Sequence, residues 1–119
     1  FALEHNIRMG QPHAPGLDDD LVVVGGAARS DLWMQIIADV TNRRVLTLAE
    51  DVEASLGAAL LAARGAGLID EATLVDGWLR PVPRAEPRPA TRALYDALFD
   101  QYVAAGPALA PVMRALGGR

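Results

Sequence analysis

The chain has 119 residues, 51% of them hydrophobic and only 5% aromatic, and its 11 basic and 15 acidic side chains leave a net charge of −4. That size suits one domain or part of one, the apolar content excludes wholesale disorder, and an acidic balance without a basic stripe argues against nucleic acid as a partner. With no cysteine present, disulfides and thiolate metal sites are excluded as well.

Residues 1–9 read as the last turns of a helix. Phe1, Leu3 and Ile7 share a stripe with no capping residue before them, so the opening looks cut from something longer. His5 and His13 have no carboxylate or second histidine at ligand spacing, and no metal is expected on them. "GQPHAPGLDDD" reads as a surface loop. Leu21 to Val24 then form a short apolar run, three of its four residues β-branched, which predicts a strand buried on both faces as in a parallel sheet.

A helix follows. Leu32, Trp33, Ile36, Ile37 and Val40 fall on one helical face, Ser30 is a natural N-cap, and Asp31 suits the positive end of the helix dipole. "NRR" ends it and "VLTL" at 45–48 gives a second strand. A second helix runs through "EASLGAALLAARGAGL", with Glu50, Asp51 and Glu53 at its acidic start and Gly65 and Gly67 at its end. The unit is therefore strand–helix–strand–helix with parallel strands and a right-handed crossover. Gly57 inside that second helix costs about 1 kcal/mol relative to alanine. Close helix-on-sheet packing or approach of a ligand would each account for it.

"RPVPRAEPRP" at 80–89 holds four prolines and reads as an extended connection. It leads to a closing helix on which Leu94, Tyr95, Leu98, Phe99 and Tyr102 repeat, with a further turn or two before fraying. No apolar run approaches the roughly 18 residues that span a bilayer, and no signal segment opens the chain. No membrane partner is expected and a cytoplasmic location is the default.

One stretch has the means to hold a ligand. "VVVGGAARSDLW" takes a strand through Gly25 and Gly26 into a helix capped by Ser30. Glycines permit positive φ and put no Cβ in the way, and a helix N-terminus offers unpaired N–H groups. Ligands of open α/β sheets sit beyond the carboxyl ends of the strands. The turn lacks both the Walker loop and the G-x-G-x-x-G fingerprint, so anion binding and a plain capped reversal both remain open from pattern alone. No catalytic constellation is visible. The acids Asp18 to Asp20, Asp31, Asp39, Glu50, Asp51 and Glu53 read mostly as loop or helix-end charges.

Two segments carry a resemblance. "VVVGGAARSDLWMQIIADVTNRRV" resembles the "GGGA-[KR]-S-x-x-W-x-Q-x-x-AD" segment of the FGGY carbohydrate kinases, and "EASLGAALLA" resembles their "E-x-x-ALGAALLA" helix. "ALEHNIR" and "YDALFDQY" are similar to the flanking helices, so the likeness spans residues 2 to 116 and is strongest toward the xylulokinase-like members. The resemblance implies an incomplete actin-like, ribonuclease-H-like ATPase domain of α/β class. Residues 1–79 would belong to its nucleotide-binding part, with 80–89 as connection and 90–119 as closing helix. It implies ATP with Mg²⁺, and a sugar as phosphoryl acceptor such as xylulose, ribulose, glycerol or gluconate. By position it puts Gly25, Gly26 and Ala27 beside the nucleotide phosphates or ribose and Ser30 near the base. Ala27 stands where the family usually has a third glycine. The family's catalytic Asp, sugar-binding residues and Mg²⁺ ligands would all lie upstream of Phe1, so the segment alone is expected to be inactive. A non-catalytic module that self-associates or binds a partner through an exposed strand edge is the competing expectation.

Overall fold

The computed structural model describes residues 1–14, 19–49, 53–70 and 80–117. The elements in chain order are α1 (Ala2–Gly10), β1 (Asp20–Val22), α2 (Asp31–Thr41), β2 (Arg44–Leu48), α3 (Glu53–Gly65), β3 (Pro81–Ala85) and α4 (Arg92–Gly117). Short 3₁₀ turns at Gln11–His13, Gly26–Arg29 and Pro89–Thr91 join them. Asp18, Glu50 and Asp51 lie outside the described residues.

The sheet has the order β1-β2-β3, with β1 parallel to β2 as expected and β3 antiparallel to β2. The proline-rich connection is thus extended, but it is also a paired edge strand. Pro81 and Pro83 are two residues apart, so their missing N–H groups fall on the same side of the strand, and an edge strand has one side free of the ladder.

Helix α2 lies on one face of this sheet. Met34, Ile37 and Ala38 join Ala28 and Val45 in the buried core, and Leu21, Val23 and Ala85 pack against it from the strands. Complete burial of a Met or Val side chain contributes about 1.5–3 kcal/mol, so the fully buried Met34 and Val45 anchor the layer. The expected apolar face of α2 holds in part. Ile37 and Val40 are buried, but Leu32 is 72% and Trp33 48% exposed, and Met34 and Ala38 join Ile37 against the sheet in their place.

The expectation of a strand buried on both faces also fails. Val22 and Val24 are about half exposed, on the face opposite α2. Nor does α3 close over Gly57, where a Cβ would meet no atom within 4 Å. The Cα radius of gyration is 18.7 Å, against about 13–14 Å for a compact domain of this length. Much apolar surface is therefore left uncovered.

Three helix ends of the central unit follow local rules. The Ser30 hydroxyl accepts the Trp33 N–H at 3.3 Å, and α2 stops at Asn42 in the left-handed conformation (φ 52°), which asparagine tolerates better than most residues. α3 ends on Gly67 (φ 70°), with the Leu68 N–H donating to the Ala63 carbonyl and the Gly67 N–H to that of Arg64, the pairing of a Schellman motif.

Helix α4 runs 26 residues with Pro107 and Pro111 inside it, longer than expected. Each proline removes one i→i−4 bond, yet the surrounding alanines favour helix enough for it to continue. Its first half carries Phe99, which is buried. Phe1, His5, Tyr95 and Tyr102 gather around this part of the helix at ring separations of 5.7–6.3 Å. Both Phe and both Tyr of the chain meet there, tying α1 to α4.

Candidate functional site

The core face of the sheet runs on into a depression. Side chains alternate along a strand, so Leu21 and Val23 lead to Gly25, and Val45 leads to Thr47 and Ala49. Gly25, Ala28, Arg29, Thr47, Leu48, Ala49 and Arg84 line an open hollow of ≈ 200 Å³. It lies past the carboxyl ends of the parallel strands β1 and β2, under the turn that leads into α2. This is where ligands of open α/β sheets are held.

Gly25 has φ 86° and ψ −175°, a conformation that residues with a Cβ adopt only under strain. It turns the chain abruptly, and Gly26–Arg29 follow as a 3₁₀ turn in which Ala28 N–H donates to the Gly25 carbonyl and Ser30 N–H to that of Ala27. The first amides of such a turn have no carbonyl within the turn to bond. They belong to Gly26 and Ala27. The four residues singled out in the sequence share this one turn. Gly25 lines the hollow, whereas Gly26, Ala27 and Ser30 are exposed around it. The Ala27 methyl group is exposed, while that of Ala28 enters the core. Ser30 caps α2, so its hydroxyl is already in use.

Thr47, Leu48, Ala49, Ala28, Arg29 and Arg84 were not anticipated. The strand positions follow from alternation once the pairing is known. Arg84 carried no sequence signal. Its Nη2 makes an ion pair with Asp31 Oδ1 at 2.6 Å. Arg29, Thr47 and Arg84 thus number among the residues lining the hollow, side chains whose donors suit an anion. A nearby acid has a different job. Asp39, expected as a solvated helix charge, has a fully buried side chain held by Arg88 and Gln35. Among the described residues no group of three or more His, Asp or Glu could hold a metal ion, and no helix is long and apolar enough to cross a membrane.

With this geometry in view, comparison with known proteins is decisive on kinship. Residues 10–66 match the C-terminal domain of the FGGY family of carbohydrate kinases. That stretch is an FGGY C-terminal domain segment. It is 34% identical over 103 residues to the xylulose kinase of Bacillus subtilis (strain 168), which covers 86% of this chain and 20% of that protein. The autoinducer-2 kinase of Enterobacter sp. (strain 638) is 34% identical over 72% of this chain and 16% of its own length. The crystal structure of xylulose kinase from Rhodospirillum rubrum superposes with a TM-score of 0.72 at 31% identity, over 95% of this chain and 23% of that one. This chain therefore spans about a fifth of the length of these relatives. The α/β layer of sheet and helices is that of a sugar-kinase fold.

Proposed function

We propose that this chain forms the nucleotide-side wall of an ATP-dependent sugar kinase, in an actin-like ATPase domain. The single observation that carries the reading is the turn at Gly25 to Ser30. It combines a glycine at positive φ, a following 3₁₀ turn whose first amides have no carbonyl within the turn, and a hollow beyond the strand ends that Arg29, Thr47 and Arg84 help to line. Gly25, Gly26 and Ala27 would face the phosphates or ribose, and Ser30 the base end. Phosphoryl transfer rests on positioning, Mg²⁺ and a base on the acceptor hydroxyl. The residues of this chain supply only part of the nucleotide's positioning. The catalytic base, the Mg²⁺ ligands and the sugar pocket come from elsewhere in the kinase. A pentulose such as xylulose is the favoured acceptor, because xylulose kinases recur among the relatives. The autoinducer-2 kinase among them keeps other acceptors, such as ribulose, glycerol or gluconate, in play.

The test is amide mapping in the intact kinase. Addition of ADP should shift the Gly25, Gly26 and Ala27 resonances most strongly. Binding that leaves those amides unmoved would overturn the reading. Phosphorylation assays over xylulose, ribulose, glycerol and gluconate would then name the acceptor.

A second reading has its own observation. Among the described residues β1 is an edge strand, and Val22 and Val24 are 51% and 49% exposed on its outer face, so self-association through this edge is chemically reasonable. Light scattering of the 119-residue chain, with and without ATP, distinguishes the readings. A nucleotide-insensitive oligomer favours association.

A further inference from the structure

The register between β2 and β3 contains an irregularity that bears on the hollow. Val45 pairs with Ala85 and the next residue, Leu46, pairs with Pro83. Arg84 is thus the extra residue of a β-bulge, opposed by nothing on β2. In a regular pleat, adjacent side chains point to opposite faces. Here Ala85 packs into the core under α2, while Arg84 reaches Asp31 on the first turn of the same helix. Two consecutive side chains turn toward one helix, and the bulge is what permits it. Bulges of this kind recur beside binding sites, where they re-aim a single side chain.

We infer that Arg84 is a nucleotide-positioning residue whose guanidinium binds the phosphate chain, with Asp31 holding it in place until the nucleotide arrives. This rests on the proposed nucleotide reading and extends it to a residue on a strand with no motif. Three observations support it. Arg84 lines the hollow together with Gly25 and Thr47. Its side chain is about one-third exposed, so it is open to a ligand, and its partner Asp31 is 85% exposed. An ion pair this exposed contributes little to stability and exchanges readily for a phosphate, which a guanidinium grips with two parallel hydrogen bonds.

The experiment uses the intact kinase carrying this segment, with ADP and adenosine as separate probes in calorimetric titrations. R84Q should weaken ADP binding by about tenfold, the scale of one charge-assisted hydrogen bond, and leave adenosine binding unchanged. R84K should recover part of the loss. D31N should tighten ADP binding about two- to threefold, by removing an anion that competes for Arg84, and this arm stands even if R84Q folds poorly. Wild-type ADP affinity in R84Q, equal losses for ADP and adenosine, or weaker ADP binding in D31N would each overturn the inference. Amide mapping of the wild type separates the two proposals. If Gly25 and Gly26 respond to ADP while R84Q binds normally, only the role of Arg84 falls. If they do not respond, the nucleotide reading falls and takes this inference with it.

Discussion

Arg88 grips the buried carboxylate of Asp39 through three donors. Its Nε and Nη2 reach Oδ2 at 3.0 and 2.6 Å, and its own backbone N–H donates to Oδ1 at 2.8 Å. Gln35 completes the knot, donating from Nε2 to Asp39 Oδ1 at 3.0 Å and to the Glu86 carbonyl at 2.8 Å. This clamp fastens α2 to the link between β3 and α4, and so fixes the helix whose first turn borders the hollow. Replacing Arg88 by Met strands a buried charge, and the expected cost is about 3 kcal/mol in urea unfolding of the chain. The double variant with Asp39→Leu as well should recover much of that loss, since an apolar pair of similar size needs no partner. A double variant no more stable than Arg88→Met alone would show that the clamp is not a charge-pair effect.

The same pair makes stability depend on acid. Burial pushes the Asp39 carboxyl upward, but the hydrogen bonds from Arg88 and Gln35 and the charge of Arg88 outweigh it and hold the pKa below its ordinary 3.8. A depressed carboxyl contributes stability that is fully present above the unfolded value and is lost as pH falls through the folded one. Unfolding free energy should therefore be insensitive to this group at neutral pH and decline below about pH 4. In Asp39→Asn the acid slope should be shallower, and denaturant titrations at several pH values would show whether it is.

Two glycine-to-alanine changes should have opposite signs. At Gly25 the backbone lies at φ 86° and ψ −175°, where a Cβ costs about 1–3 kcal/mol. Gly25→Ala is expected to lower thermal stability and disturb the turn. At Gly57, inside α3, there is open space where the methyl group would go, and helix propensity alone should raise stability by about 1 kcal/mol. A stabilising Gly25→Ala would mean that the turn is not fixed at positive φ in solution.

Phe99 holds α1 to α4. It is 5% exposed, touches the rings of Phe1, His5 and Tyr102, and has the Arg8 guanidinium 4.1 Å above its face. Phe99→Ala should cost about 3–5 kcal/mol and flatten the near-ultraviolet circular dichroism from the tyrosines. Arg8→Ala loses the cation–π contact and the 2.5 Å bond to Glu4. Because the Glu4 side chain is only 7% exposed, this strands a buried carboxylate as Arg88→Met does, and the expected cost is again about 3 kcal/mol.

Local rules determined much of this molecule from the sequence alone. Ser30 as cap, Asn42 and Gly67 as stops, the parallel strands at Leu21 and Val45, and the turn at Gly25 each depend on a few neighbouring residues, so they are legible in order along the chain. The exposed faces were not, because a side chain's burial depends on what lies across from it. The sheet chose Met34 over Trp33, and nothing among the described residues covers Val22. Asp39 and Arg88 stand 49 positions apart, and Arg84 owes its aim to a register slip against β2. Those relationships exist only once distant strands are paired. The tertiary structure, through that pairing, decided which charges border the hollow and which are sealed into its support.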